Sequence, residues 1–185
     1  MRLQAQQKRT AYTDSLKAYQ KQYIDSHEVI KGDDKKYLRF YPINAQYRVK
    51  ARFEFIPKGE WFNMPTSAGR AQTYRKYGKL TFKIHDTTVV LYVYQSQSFM
   101  AVEKYRDYLF VPFTDLTNGV SSYDNGRYLE YYVKDIEQNV LIVDFNKAYN
   151  PYCAYEKGYS CPIPPSENAL PVTIAAGEMK FGKGH

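Results

Sequence analysis

Cysteine, histidine and tryptophan are scarce in this chain of 185 residues, which has two, three and one of them. So few cysteines exclude the densely cross-linked mini-scaffold, and a zinc site built from cysteines alone is out of reach. The three histidines, His27, His85 and His185, are scattered and one ends the chain, so neither a zinc cluster nor histidine-based catalysis is well supplied. No apolar run approaches the roughly 20 residues that a bilayer-spanning helix needs. Internal repeats, low-complexity tracts and domain linkers are absent as well. No metal or other cofactor is expected.

Aromatic side chains are abundant: 20 tyrosines and 10 phenylalanines in a chain that is 44% hydrophobic, which argues against disorder. A chain of this length buries roughly 70% of its unfolded surface, enough for one domain without staples. Residues 5–26 read as one helix, with Tyr12, Leu16, Tyr19 and Tyr23 on a single stripe. Beyond Gly32-Asp33-Asp34 the periodicity changes. Tyr47, Val49, Ala51, Phe53 and Phe55 alternate with Arg48, Lys50, Arg52 and Glu54, which predicts a strand over 47–55 with one core face and one basic face. Residues 79–85 and 88–94 alternate around His85-Asp86-Thr87 as a hairpin. Further strands are expected at 37–41, 71–77, 108–113, 127–133, 140–145 and 172–176. Short strands at this spacing, without helical periods between them, point to a mainly β antiparallel sandwich or barrel-like sheet with one N-terminal helix. The expected organisation is a helix over 1–30, a β-rich domain over 31–178 and a disordered tail over 179–185.

The net charge of +7 averages two unlike halves. Up to residue 92 the chain carries +10, and beyond it −3. Basic strand faces with interleaved tyrosines raise nucleic-acid binding, but no recognition motif accompanies them and the acidic second half weakens the idea. Leu3-Gln4-Ala5 resembles the end of a trimmed signal peptide, and equally an ordinary polar helix start.

Cys153 and Cys161 are separated by seven residues in a segment that can double back at Gly158. A disulfide between them would add about 2–3 kcal/mol on the chain-entropy model. Buried structural thiols, or a catalytic or metal role, are the alternatives. Around them Pro151, Pro162, Pro164, Pro165 and Pro171 forbid regular hydrogen bonding, so the chain after Asn146 runs as a long loop.

That loop carries a resemblance. Asp144-Phe-Asn146-Lys-Ala-Tyr149-Asn150-Pro151-Tyr-Cys153-Ala-Tyr155, with Tyr159-Ser-Cys161-Pro162-Ile-Pro164-Pro165-Ser-Glu167-Asn168, resembles the signature of the family called domain of unknown function 1684. Phe113-Thr-Asp115-Leu-Thr117-Asn-Gly119, Tyr123, Gly126-Arg127-Tyr128, Tyr47-Arg48-Val49 and Ala51-Arg52-Phe53 fit the same family, so the likeness covers roughly 37–178. It implies a bacterial protein, frequently exported, in the periplasm or cell envelope rather than the cytoplasm. It implies no activity and no catalytic residues.

Two constellations stand out. Asp115, Thr117, Tyr123, Arg127, Asp144, Asn146, Tyr149 and Asn150 lie at expected strand ends, where sites are commonly built, and are the candidate ligand-binding set. The structural alternative pairs Arg127 with Asp115 or Asp144 and uses the asparagines to hold turns. Thr66, Ser67, Arg70 and Arg75 are the candidate anion-binding set, although the segment lacks the glycine spacing of a P-loop. The expected function is non-catalytic: a small-ligand or envelope-interaction domain, with an anion among the ligands considered. A hydrolase using Asp115 and Asp144, or Cys153 as nucleophile, is the alternative. Tyr123, Tyr149, Tyr152, Tyr155 and Tyr159 gather around the Cys/Pro loop with no packing role assigned.

Overall fold

The structure is a computed structural model that describes residues 2–183. A helix, α1 (Arg2–Ser26), precedes seven strands: β1 (Arg48–Phe55), β2 (Trp61–Met64), β3 (Gln72–Ile84), β4 (Thr87–Ser96), β5 (Tyr108–Phe113), β6 (Arg127–Tyr132) and β7 (Val140–Asp144). They form one antiparallel sheet in the order β6-β5-β4-β3-β1-β7, with β2 also paired to β3, curled into a half-barrel. The mainly β, barrel-like reading with one N-terminal helix is therefore correct.

Alternation explains most of it. Ala51 and Phe53 in β1, Leu80, Phe82 and Ile84 in β3, and Val89, Leu91 and Val93 in β4 point to one face and form the main core with Leu109, Val111, Phe113, Leu129, Leu141 and Val143. The expected strands at 71–77 and 79–85 are one strand. A bulge between Lys76 and Gly78 shifts the register there, so Tyr74 faces the opposite side of the sheet from Leu80. Tyr74 joins Met64, Tyr94, Phe110 and Tyr128 in a second aromatic cluster on the other face. Strand β5 and the second half of β4 are thus buried on both faces, which accounts for the near-continuous apolar run of β5.

Two expected strands differ from the structure. Residues 37–41 make a 3-10 turn (Gly32–Tyr37) and one bridge, Phe40 to Glu178, instead of a strand. Residues 172–176 lie outside the sheet, because side chains take their backbone groups: Ile174 N–H donates to Asp115 Oδ1 at 3.0 Å and its carbonyl accepts from Arg127 Nη2 at 2.9 Å. β2, only four residues long, has too little alternation to be read from sequence. Of the tail, Met179, Lys180 and Gly182 donate backbone hydrogen bonds to the carbonyls of Arg39, Ser121 and Tyr37; residues 184 and 185, including His185, lie outside the described residues.

Gly177 is the tightest point of this C-terminal crossing. Its φ is +78°, and a Cβ there would stand 2.6 Å from the carbonyl oxygens of both Ala148 and Phe145. Backbone oxygens cannot swing away as a side-chain tip can. Gly177→Ala is therefore expected to lower the unfolding free energy by about 2–4 kcal/mol, read as a lower urea midpoint with an unchanged slope.

Candidate functional site

The strand-end residues separate into three networks. The first is built on Arg127, whose side chain is 0% exposed. Its guanidinium pairs with Asp115 Oδ2 at 2.7 Å, lies 3.4 Å from Thr117 Oγ1, and donates to the carbonyls of Ile174, Ala176 and Glu178. Asp115 Oδ1 accepts from the N–H groups of Thr117 and Ile174 at 2.9 and 3.0 Å. Every acceptor here is spent inside the protein, so Arg127, Asp115 and Thr117 are joined in a structural clamp. Tyr123 is half-buried beside it, its hydroxyl accepting from Asn125 at 3.2 Å.

The second network docks α1. Asp144 receives the Tyr12 hydroxyl at 3.1 Å, and Asn146 bridges Asp144, Tyr12 and the backbone of Asn44. Asp144 does not pair with Arg127. The two carboxylates proposed as a hydrolytic acid and base sit in separate networks, so that alternative loses its pair. Cys153 loses its nucleophilic role too: it forms a disulfide with Cys161, Cα atoms 6.3 Å apart.

The third network surrounds Glu178, which in the sequence is no more than the edge of an expected tail. It is completely buried, and its carboxylate accepts from the Tyr155 hydroxyl (2.6 Å), the Tyr23 hydroxyl (3.0 Å) and the Asn150 N–H (2.9 Å). Asn150 also donates to the Met179 carbonyl at 2.8 Å. Beside them lies buried His27, whose Nδ1 accepts from Ile30 N–H at 2.9 Å and whose ring packs edge-on to Tyr155 at 4.7 Å.

The anion-binding set is also dispersed. Thr66 and Ser67 grip the Cys/Pro loop: Thr66 Oγ1 meets Ser160 Oγ at 2.7 Å, and Ser67 Oγ donates to Tyr159 O at 3.0 Å and accepts from Cys161 N–H at 3.1 Å. Arg75 is committed to Gln95 Oε1 at 2.7 and 3.1 Å and stacks on Trp61. Arg70 is exposed. These groups do not converge on one point.

What the three networks leave open is a cleft of about 500 Å3 between α1, β6 and the Cys/Pro loop. Its walls include Tyr19, Tyr23, His27 and Glu28 from the helix side, Tyr128 and Glu130 from β6, and Tyr149, Tyr152, Tyr159 and Cys161 from the loop. Tyr128 and Glu130 face it together because alternate residues of a strand share a face. Five of the six tyrosine hydroxyls are anchored, Tyr19 to Lys147 O (3.2 Å), Tyr23 to Glu178, Tyr128 to Pro162 O, Tyr149 to Glu130 and Tyr152 to Glu28 (2.8 Å). Of the expected ligand set, only Tyr149 lines this cleft. The tyrosines around the Cys/Pro loop were the available signal; His27, Glu28 and Glu130 had none. A larger hollow of about 980 Å3 near Asn44 carries one charged wall residue, Arg9. Among the described residues no three or more of His, Cys, Asp and Glu are grouped to hold a metal ion, and no helix is long and apolar enough to cross a membrane.

Two buried groups give the fold a pH signature. Burial pushes the Glu178 carboxyl up to about 7, against opposing hydrogen bonds from Asn150, Tyr155 and Tyr23 and the charge of Arg127. Burial, with Lys31 and Lys35 nearby, lowers His27 to about 4. Glu178 therefore contributes stability that is fully present below about pH 4.5 and is lost as pH rises through about 7. His27 acts oppositely: its contribution is present above about pH 6.5 and is lost as pH falls through about 4. The stability difference between wild type and Glu178→Gln is expected to grow in favour of wild type by on the order of 3 kcal/mol from pH 7.5 to 4.5, measured by urea unfolding across that range. A constant difference would refute the burial assignment. Independently, Asp115→Ala strands the Arg127 charge and is expected to cost about 3–5 kcal/mol, visible in the same assay.

No curated protein matches the chain. Among solved structures, the solution NMR structure of an uncharacterised protein from Haloarcula marismortui is similar, with 28% identity and a TM-score of 0.68, covering 94% of this chain and 96% of that one. A family model described as protein of unknown function (DUF1684) matches residues 34–179. That span takes in the half-barrel, the Arg127 clamp, the disulfide and all but the helical wall of the cleft, and the chain belongs to this DUF1684 family.

Proposed function

We propose that the protein is a non-catalytic small-ligand-binding domain and that its site is the tyrosine-walled cleft. One observation carries the reading: six tyrosines from three separate segments converge on one opening, and five are held in place by named acceptors, so the walls are formed before any ligand arrives. Tyrosine suits this role because it offers a large, rigid, amphipathic surface at low entropic cost. A catalytic role has less support. Cys153 is tied up in its disulfide, the cleft carboxylates Glu28 and Glu130 are each bonded by a tyrosine, and His27 is buried against aromatic rings.

The disulfide supports an oxidising compartment, such as the periplasm or cell envelope, as the working location. Cys161 is itself a wall residue, so the bond that fixes the loop also fixes one side of the site.

A mixture of neutral, cationic and anionic organic fragments, followed by two-dimensional NMR, tests the reading. The expected outcome is that shifts concentrate on Tyr128, Tyr149 and Tyr152 and that Ser160→Trp, which fills the cleft, removes them. Shifts scattered over the surface, or untouched by that substitution, would overturn it.

A further inference from the structure

The cleft and the rest of the molecule differ in charge. The chain carries +7, yet the cleft walls contain Glu28 and Glu130 and neither Lys nor Arg. Both carboxylates sit beside a ring whose hydroxyl is bonded to them, Tyr152 on Glu28 and Tyr149 on Glu130. Burial raises these two phenols, Tyr152 to about 12 and Tyr149 further, so they stay neutral donors near pH 7.

The aromatic rings of the cleft add a second observation. Elsewhere one exposed ring and several half-buried ones carry a cation of the protein's own: Arg75 on Trp61, Lys36 on Tyr37, Lys76 on Tyr92, Lys104 on Tyr105 and Lys134 on Tyr132. Within the cleft only Tyr19 has such a partner among the described residues, Lys147 at 5.5 Å. Two pairs of cleft rings meet at steep angles, 89° between Tyr128 and Tyr149 and 63° between Tyr152 and Tyr159, and Tyr23 is tilted by 48° to Tyr149, so these rings make the corners of a box and not a stack for a flat ring to join. A box of electron-rich rings edged by carboxylates attracts a positive charge through the ring quadrupoles and through direct Coulomb interaction.

We infer that the ligand is an organic cation, a small molecule bearing an amine or quaternary ammonium group, seated between the Tyr128–Tyr149 and Tyr152–Tyr159 corners with Glu28 and Glu130 as its counter-charges. This rests on the cleft being the binding site, and it replaces the anion expected from the sequence. It fits the dispersal of Thr66, Ser67 and Arg75 into structural contacts.

The test compares choline with 3,3-dimethylbutan-1-ol, which has the same shape with a carbon in place of the charged nitrogen, and with inorganic phosphate. Each is titrated into the full chain while the Tyr128, Tyr149 and Tyr152 resonances are followed. Choline is expected to bind about tenfold or more tightly than its neutral isostere, with an affinity that falls as sodium chloride is raised. Glu130→Gln keeps an acceptor for Tyr149, and it is expected to shrink the ratio of choline to isostere affinity severalfold. Equal binding of choline and the isostere in the cleft, or tighter binding of phosphate there, would overturn the cation assignment and leave the cleft standing. If none of the three moves those resonances while neutral fragments do, the cation assignment again fails. Only failure of every fragment to reach the cleft removes the underlying reading.

Discussion

A guanidinium without access to water organises the C-terminal half of this fold. Arg127 opens β6, and in its buried position it must find a counter-charge and acceptors inside the protein. Asp115 supplies the charge at 2.7 Å, and the carbonyls of Ile174, Ala176 and Glu178 supply acceptors. A segment that cannot join the sheet ladder is thereby fastened across its core, with Leu170, Ile174 and Ala176 packed beneath. Such a pair adds little net stability over well-packed apolar residues, because desolvation costs nearly cancel the attraction. What it fixes is register: residues 174–178 have one position in which every acceptor meets the guanidinium.

That register decides where Glu178 lies. Two residues beyond Ala176 its carboxylate enters a space reached by Tyr23 from the helix, Tyr155 from the Cys/Pro loop and the Asn150 N–H. The helix is attached largely in this way. Leu16 is its one buried aliphatic side chain among the described residues, and Tyr12, Tyr19 and Tyr23 reach Asp144, the Lys147 carbonyl and Glu178 with their hydroxyls. Each such bond contributes about 1 kcal/mol, and those to charged acceptors about twice that. The helix is thus docked through polar contacts at three fixed points, and the gap they leave between α1 and β6 is the cleft.

Legibility followed the range of the determining interaction. Period-two alternation disclosed β1 and the β3–β4 hairpin, and the i, i+4, i+7 tyrosine stripe disclosed α1, because those patterns are local. The Arg127–Asp115 pair was among the sequence alternatives, since a turn carboxylate after one strand and a cation opening the next imply proximity. The segment 172–176 alternates like a strand in sequence, but Ile174 bonds to side chains 47 and 59 residues away. Glu178 and His27 were opaque for the same reason. Nothing adjacent to either announces burial, which arises only where the two ends of the chain meet. Glu130 reads as an ordinary solvent-facing strand residue, and it is one; its setting comes from Tyr149, brought alongside β6 by the bridge between Tyr128 and Tyr149.

A site made where three separate segments meet depends on all three of their attachments. The β6 wall belongs to the sheet, which packs Leu129 into the main core and Tyr128 into the second aromatic cluster, and the loop wall is closed by a disulfide and gripped by Thr66 and Ser67. The α1 wall is held by hydroxyl bonds, buried Leu16, Ile24 against the Ile30–Leu38 cluster and the ring contacts of Tyr23 with Phe40 and Tyr149. Any molecule touching Tyr23 or Glu28 on one side and Tyr128 or Glu130 on the other adds its binding free energy to the docking of the helix. Glu178 lies directly behind this wall, accepting from Tyr23 on the helix while Asn150 holds its other side. Its charge has no cation on the carboxylate itself, since Arg127 reaches only its backbone carbonyl. Ionising it carries the desolvation cost of a buried charge at the point where the helix docks, even though the Tyr23 hydroxyl bond itself favours the charged carboxylate, so helix docking and the integrity of the cleft share one titrating group.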